Sequence, residues 1–389
     1  MCRKGAHGSI YKTDRMEITD RTMTRLKSAA ACPHTPDMAI DLRAVLADAP
    51  IHASAPGRID CGGGWDLKGF AITHERIQPS TVNLAVDLRT TVTLDSADDA
   101  SVSVAGERLG GQPKHKALPF IGPHGLIFAV VSHFGVTGVR ITINSDIPPQ
   151  SGLGGSGVLA VALIAALSQA LSRVDGRTTL SEHEAALLAH HIEDGLHISH
   201  TGLQDQLAAA YGGVNQWIWR YSDFGCPYER KVLLPSARLD ELRGRLLVAY
   251  SGSTHESKTL ISQWVQSFRE PAHRDVWLGI NEATHALAEA IRNTRWNEAE
   301  KALRREAALW DTVCPEVWTS STGELRRVAE EHGCGARFTG AGGGGCCWAL
   351  GAADRITEVR SAWETLLQRS GSGRLLSGEV TDRGLTILA

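Results

Sequence analysis

The stretch Pro149-Gln150-Ser151-Gly152-Leu153-Gly154-Gly155-Ser156-Gly157-Val158 decides how the rest of the chain is read. It follows an alternating segment with Val139, Ile141 and Ile143, and it opens an apolar run that reaches about Leu171. Alternation followed by a helical run predicts a strand, a glycine-rich turn and a helix. At a helix N-terminus several backbone N–H groups lack intrahelical partners and the macrodipole is positive, so such a turn is a ready anion site. Gly152, Gly154, Gly155 and Gly157 remove side chains that would keep a phosphate from those groups. A tight turn packed on a helix has the same pattern, and the turn alone does not separate the two.

The bulk properties bound the answer. At 389 residues the chain is long enough for two cores, and its hydrophobic content of 42% and charged content of 21% are those of a globular protein. A formal net charge of -3 gives no reason to expect nucleic acid as a partner. No uninterrupted apolar run is expected to cross a bilayer, because the helix after Gly157 carries Ser168, Gln169 and Ser172. The opening residues are polar, without an apolar secretory core, and the eight cysteines are scattered without a C-x-x-C pair. A reducing cytoplasm is the expected setting. Residues 1–45 lack periodicity and read as a tail, 46–235 as an N-terminal domain and 240–389 as a C-terminal domain, with no function assigned to the tail.

Two more glycine stretches flank the central one. From Ile51 a short strand is expected to run into a turn, Pro56-Gly57-Arg58-Ile59-Asp60-Cys61-Gly62-Gly63-Gly64-Trp65-Asp66. Arg58 offers a planar fork of donors for phosphate or carboxylate, and Asp66 can accept hydrogen bonds from hydroxyls. Either carboxylate would also cap the turn, and Asp60, between Ile59 and Cys61, fits that structural part. Thr81 to Leu94 alternates and predicts a long half-buried strand, with Ser101 to Ala105 as its partner. Residues 106–124 read as a surface loop, and Ile127 to Phe134 as a short helix.

Ser181-Glu182-His183-Glu184 has capping-box spacing and starts a helix through Glu193 that breaks near Gly195. Asp205, flanked by Gln204 and Gln206, lies where a loop enters a helix, a common N-cap position. His190, His191, His197 and His200 cluster nearby, but not at the spacing of a zinc-binding helix face. Val214 to Tyr221 and Leu246 to Tyr250 read as strands, Val276–Arg292 and Trp296–Thr312 as helices, and Ser321 to Glu324 as a second capping box. Trp264, Trp277, Trp296, Trp310 and Trp318 fit core positions. The third stretch, Thr339-Gly340-Ala341-Gly342-Gly343-Gly344-Gly345, lies between strands Ala336–Thr339 and Cys346–Leu350. Four consecutive glycines are costly in a hairpin, which points to close backbone approach to a phosphate or to the first domain. A helix from Asp354 to Arg369 and two terminal strands complete a βαβ-like second domain.

Together the three stretches resemble the GHMP kinase superfamily over about residues 50–389. Ala55-Pro56-Gly57-Arg58 through Asp66 looks like the first family motif. Pro148 to Ser156 looks like the phosphate loop P-x-x-x-G-L-G-S-S, with Gly155 at a serine position. Thr339 to Gly345 matches T-G-A-G-G-G-G. Gly62-Gly63-Gly64-Trp65-Asp66 and Gln204-Asp205-Gln206 resemble the heptose-phosphate and fucose kinase branch. Tyr250-Ser251-Gly252 resembles the loop Y-T-G-x-x-R-x-S, with His255 in the arginine position, a change that favours an unphosphorylated sugar or cyclitol.

The resemblance implies an α+β, two-domain GHMP kinase fold, with an N-terminal part like ribosomal protein S5 domain 2 and a ferredoxin-like C-terminal part. It implies ATP on Pro149, Gln150, Ser151, Gly152, Leu153, Gly154, Gly155 and Ser156, and Mg²⁺ on Ser156 and Glu193. No lysine follows the glycines, so this is not a Walker motif. By the same resemblance Asp205 is the base, Arg58 steadies it, and Gly64, Trp65, Asp66, Gln204, Gly342 and Gly343 meet a sugar or sugar-phosphate acceptor. Neither nucleic acid nor membrane is expected as a partner; an oligomer is compatible.

Overall fold

Alternating apolar residues build a first sheet that carries the phosphate-loop candidate on one end. The computed structural model describes residues 39–388, apart from 107–113, 116–119, 121, 197–201, 224–225, 254–256 and 372. Residues 1–38 of the expected tail lie outside the described residues. Its last residues are structured: Ile40–Asp41 pairs in parallel with Val136–Thr137, and a short helix, Arg43–Asp48, buries Leu46. Residues 40–389 form one compact unit.

In chain order the first sheet contains β1 (Ile51–Cys61), β2 (Ser80–Ser96), β3 (Val102–Gly106), β4 (Val139–Ser145), β5 (Val214–Trp219) and β6 (Tyr228–Leu234). β1 is longer than the sequence predicts. It runs through Arg58 and Asp60, which therefore sit on a strand and not in a turn, and a register shift at Pro56/Gly57 accommodates the proline. β2 pairs antiparallel with β1 along one edge, and its other edge serves β5 over Ser80–Leu84 and β4 over Thr90–Ser96. With both edges taken, β2 has no place for β3, which instead adds in parallel to β4, Val102 opposite Val139. That corrects the expected pairing of Ser101–Ala105.

Besides the short helices Arg43–Asp48 and Lys68–Ala71, this half carries α1 (Gly125–Phe134), α2 (Gly155–Asp175), α3 (Glu182–Gly195) and α4 (Gln204–Tyr211). α2 packs on β1 and β2 and buries Val158, Val161, Leu163, Ile164 and Leu167. By length and composition it is long and apolar enough to cross a membrane, contrary to the sequence expectation. It is nevertheless a core helix, with 72% of its apolar window buried inside the protein. The predicted capping box at the start of α3 forms, Ser181 accepting from the Glu184 N–H and Glu184 from the Ser181 N–H.

The second half runs β7 (Leu246–Tyr250), α5 (Ser257–Arg269), α6 (Arg274–Arg292), α7 (Trp296–Val313), α8 (Ser320–Glu331), β8 (Gly335–Phe338), β9 (Cys346–Leu350), α9 (Ala353–Ser370) and β10 (Arg374–Leu376). Its four strands lie in the order β8-β9-β7-β10, all antiparallel, which is the ferredoxin-like arrangement. α5 was not anticipated, although Leu260, Trp264 and Phe268 recur four residues apart. The second capping box forms two residues earlier than predicted, on Thr319 and Thr322, because the Thr322 hydroxyl reaches back as a glutamate would. The last strand, β11 (Thr386–Leu388), leaves the second sheet and pairs with β1, Thr386 opposite Ser54.

Candidate active site

The glycine turn delivers an open helix terminus. Gly154 is the N-cap of α2, at φ 82°, and no side chain caps that end. A left-handed residue there suits glycine, and the lack of a capping side chain leaves the first-turn N–H groups facing outward. Ser151, 2% exposed, has a hydroxyl without a hydrogen-bond partner. An orphaned hydroxyl and an uncapped terminus on one loop fit a polyanionic ligand. β1 holds the loop from beneath: the Arg58 N–H donates to the Leu153 carbonyl at 3.1 Å, and Arg58 Nη1 donates to the Gly152 carbonyl.

Asp205 lies against this loop. It occupies the first turn of α4 and is not its N-cap, which is Leu203. A Cβ at Gly157 would stand 3.0 Å from Asp205 Cβ, so only glycine lets the carboxylate come this close to α2. Arg58 donates to the same oxygen twice, from Nη2 at 2.6 Å and Nε at 2.9 Å to Asp205 Oδ1. Among the described residues nothing bonds Oδ2. Burial alone would lower the Arg58 pKa, but Asp205 and Asp60 outweigh it and hold it above its ordinary value.

Ser156 and Glu193 are brought together as the sequence reading requires. Ser156 Oγ donates to Glu193 Oε1 at 2.7 Å, and Gln206 Nε2 donates to Glu193 Oε2 at 2.8 Å. A hydroxyl and a carboxylate beside a phosphate loop suit a hard cation that keeps water and phosphate ligands. Gln206, which the sequence reading named beside Asp205 without giving it a role, leaves its own Oε1 unpartnered while fully buried. The histidine cluster is only partly described: His197 and His200 lie outside the described residues. Burial pushes His190 down to about 4, and no metal-ligand cluster occurs among the described residues.

The acceptor candidates divide. Asp66 is 4% exposed, and burial, then Asp205, pushes its carboxyl up to about 7. The Tyr221 hydroxyl donates to its backbone carbonyl at 2.7 Å. Trp65 is a correction: it is fully buried, edge-on to Phe268 and Trp277, with Nε1 donating to the Trp277 carbonyl. Gly64 faces the same aromatic cluster. Large apolar side chains beside a glycine turn satisfy the core first, so the Trp65 ring is not offered to an acceptor. Gln204 is also committed internally, its Oε1 accepting from Asn83 Nδ2 at 2.9 Å.

The third glycine loop approaches the first half directly. Thr339 Oγ1 donates to the Ser151 carbonyl at 2.9 Å, as does the Cys346 N–H, and a Cβ at Gly345 would lie 2.5 Å from that carbonyl. Gly342 instead faces Val317 and Gly343 faces Leu260, with the Gly343 N–H donating to the Val317 carbonyl at 2.7 Å. Beneath, Arg337 and Glu306 join Asp60 in a buried ion network that the sequence reading did not identify. Its only signal was a charged residue in the apolar strand Ala336-Arg337-Phe338.

The model for the GHMP kinases N terminal domain matches residues 125–213, and that for the GHMP kinases C terminal matches 287–368. This chain carries both GHMP kinase domains. Among relatives of these GHMP kinase domains, a mevalonate kinase of Thermococcus sibiricus is 29% identical over 233 residues, 58% of this chain and 63% of that protein. The chain thus spans less than two thirds of that relative's length. A D-glycero-alpha-D-manno-heptose 7-phosphate kinase of Campylobacter jejuni is 25% identical over 76% of this chain and 87% of that protein. The fold is shared with a D-glycero-D-manno-heptose 1-phosphate kinase from Bacteroides thetaiotaomicron, at TM-score 0.67 and 19% identity, covering 87% of this chain and 99% of that one.

Proposed function

We propose that this protein is an ATP-dependent kinase that transfers the γ-phosphate to a hydroxyl of a sugar or sugar phosphate, such as a heptose or fucose. The anomeric hydroxyl is the expected target. The observation that carries this reading is Asp205, paired with Arg58 through one oxygen and lying against the uncapped glycine loop. In-line phosphoryl transfer needs a positioned hydroxyl, a proton acceptor and neutralisation of phosphate charge, with little covalent chemistry from the protein. Asp205 Oδ2 takes the proton of the attacking hydroxyl, while Arg58 fixes Oδ1 and faces the phosphate side. The first-turn N–H groups of α2 and the Ser151 hydroxyl bind the triphosphate. Ser156 and Glu193 would hold Mg²⁺, which would supply neutralisation of the triphosphate charge. Asp66 orients acceptor hydroxyls.

A regulator without turnover has less support, because Arg58, Asp205 and Ser156 are all present, with Arg58 bonded to Asp205 and Asp205 packed against Gly157 next to Ser156. The similarity to a mevalonate kinase favours a non-sugar alcohol as the second reading of the acceptor. Free thiols at the six described cysteines agree with a cytoplasmic setting. The test is ADP release with Mg·ATP across fucose, heptose 7-phosphate, other hexoses, cyclitols and mevalonate. Asp205→Asn is expected to lower kcat about 10²–10⁴-fold while ATP still binds. Near-normal turnover in that variant would sink the base assignment.

A further inference from the structure

The three side chains that open α4 reach three different elements. Gln204 Oε1 accepts from Asn83 on β2 at 2.9 Å, and Asp205 Oδ1 accepts from Arg58 on β1 at 2.6 Å. Gln206 Nε2 donates to Glu193 Oε2 on α3 at 2.8 Å. Asp205 and the residue that holds Glu193 are thus neighbours on one helical turn. Gln206 makes its bond at a cost. It is fully buried, and its Oε1 has no hydrogen-bond partner among the described residues. A buried acceptor left unpaired loses its solvation without return. Turning the amide over gives no relief, because an ionised carboxylate only accepts and would then face the amide oxygen. The Gln206 amide is therefore committed to Glu193.

Glu193 is poorly placed for a charge. It is 1% exposed and lies in the last turn of α3, where the macrodipole is negative and the turn has no basic residue. Ser156 and Gln206 are neutral donors, so they orient the carboxylate without cancelling its charge. Its two flanks differ. Ser156 is exposed, whereas Gln206 closes the opposite side.

We infer that Gln206 is a positioning residue for the metal: by pinning Glu193 Oε2 it turns Oε1 toward Ser156 and so sets the cation site assigned to Ser156 and Glu193. The inference rests on that reading of the site and adds a residue to it. Partners that orient a ligating carboxylate change metal affinity about 10–100-fold when they are removed. Gly157 keeps the contact possible, since a Cβ there would stand 3.3 Å from Gln206 Cδ and 3.0 Å from Asp205 Cβ.

The test is a double-variant cycle on the full chain, read by calorimetry with a non-hydrolysable ATP analogue, with and without Mn²⁺. The quantity measured is the factor by which Mn²⁺ tightens analogue binding. Gln206→Met keeps the length of the side chain and removes the donor. The factor is expected to fall about tenfold or more in that variant, with metal-free affinity for the analogue unchanged. Glu193→Gln should cost at least as much, and adding Gln206→Met to it should cost nothing further, because one residue acts through the other. A wild-type factor in Gln206→Met, whatever its urea midpoint, overturns the inference and leaves the kinase reading to ADP release. Full additivity in the double variant overturns it as well, since Gln206 would then act elsewhere. If Mn²⁺ gives the wild type no advantage, the metal assignment of Ser156 and Glu193 fails and the inference falls with it. Should the methionine variant not fold, Gln206→Asn, which withdraws the amide by one methylene, carries the same expectation and the same refutation.

Discussion

At the scale of single residues the site is set by carboxyl groups with unequal surroundings. Asp66 is buried beside Asp205, and burial with that like charge outweighs the pull of Arg58, so its carboxyl titrates at about 7 instead of near 4. A group whose folded pKa is raised stabilises the fold fully below its unfolded pKa and loses that contribution as pH rises through the folded value. Stability is therefore expected to fall between about pH 4 and pH 7, by on the order of 4 kcal/mol for a shift of about three units. In Asp66→Asn that slope should vanish from a plot of thermal midpoint against pH; a slope equal to wild type would refute the assignment. That Arg58 would meet Asp205, and Ser156 would meet Glu193, was legible in the sequence because these residues belong to motifs whose spacing constrains their neighbours. Trp65 and Gln204 were misplaced because the same motif spacing accommodates a side chain pointing into the core. Nothing in the residue types signals that Phe268 and Trp277 fold over one and Asn83 reaches the other.

At the scale of elements the glycines separate into two kinds. Gly345, at φ 71°, faces the Ser151 carbonyl so closely that a methyl group would stand 2.5 Å from it, backbone against backbone. Gly176, the C-cap of α2 at φ 75°, has nothing within 4 Å of an added Cβ. Gly176→Ala should thus cost only the left-handed strain, about 1 kcal/mol. Gly345→Ala should cost about 2–3 kcal/mol or more and raise the KM for ATP, because the third glycine loop must move off the phosphate loop. Equal losses for the two variants in urea denaturation would refute the close-approach argument. The sequence could show that four adjacent glycines needed a reason. It could not show that the partner was Ser151, because long-range approach leaves no periodic trace. The same limit explains β3: its strand character was readable from alternation, but its parallel pairing with β4 depends on which edges of β2 were already occupied.

At the scale of the whole molecule, a line of buried charge ties the second half of the chain to the Arg58–Asp205 pair. Glu306 on α7 receives Arg337 Nε at 2.9 Å on both oxygens, and Arg337 Nη1 reaches Asp60 Oδ2 at 3.0 Å. Asp60 Oδ1 accepts the Gly340 N–H at 2.8 Å and lies 3.3 Å from Arg58 Nη1, and Arg58 holds Asp205. Asp60, Glu306 and Arg337 are all fully buried, so none can turn to water if a partner is lost. A buried ion pair need not stabilise relative to apolar residues, but removing one partner strands the other. Arg337→Met strands two carboxylates at once and should cost about 3–5 kcal/mol in urea denaturation, with an unchanged slope. Arg337→Lys keeps the charge but not the fork that spans Glu306 and Asp60, and should fall between Met and wild type. A second change, Glu306→Gln, removes one of the stranded charges and should recover part of the Arg337→Met loss, since residues in one network do not add. Additive losses in the double variant would mean that the two side chains act separately, and the link from α7 to Asp205 would then fail at its first step.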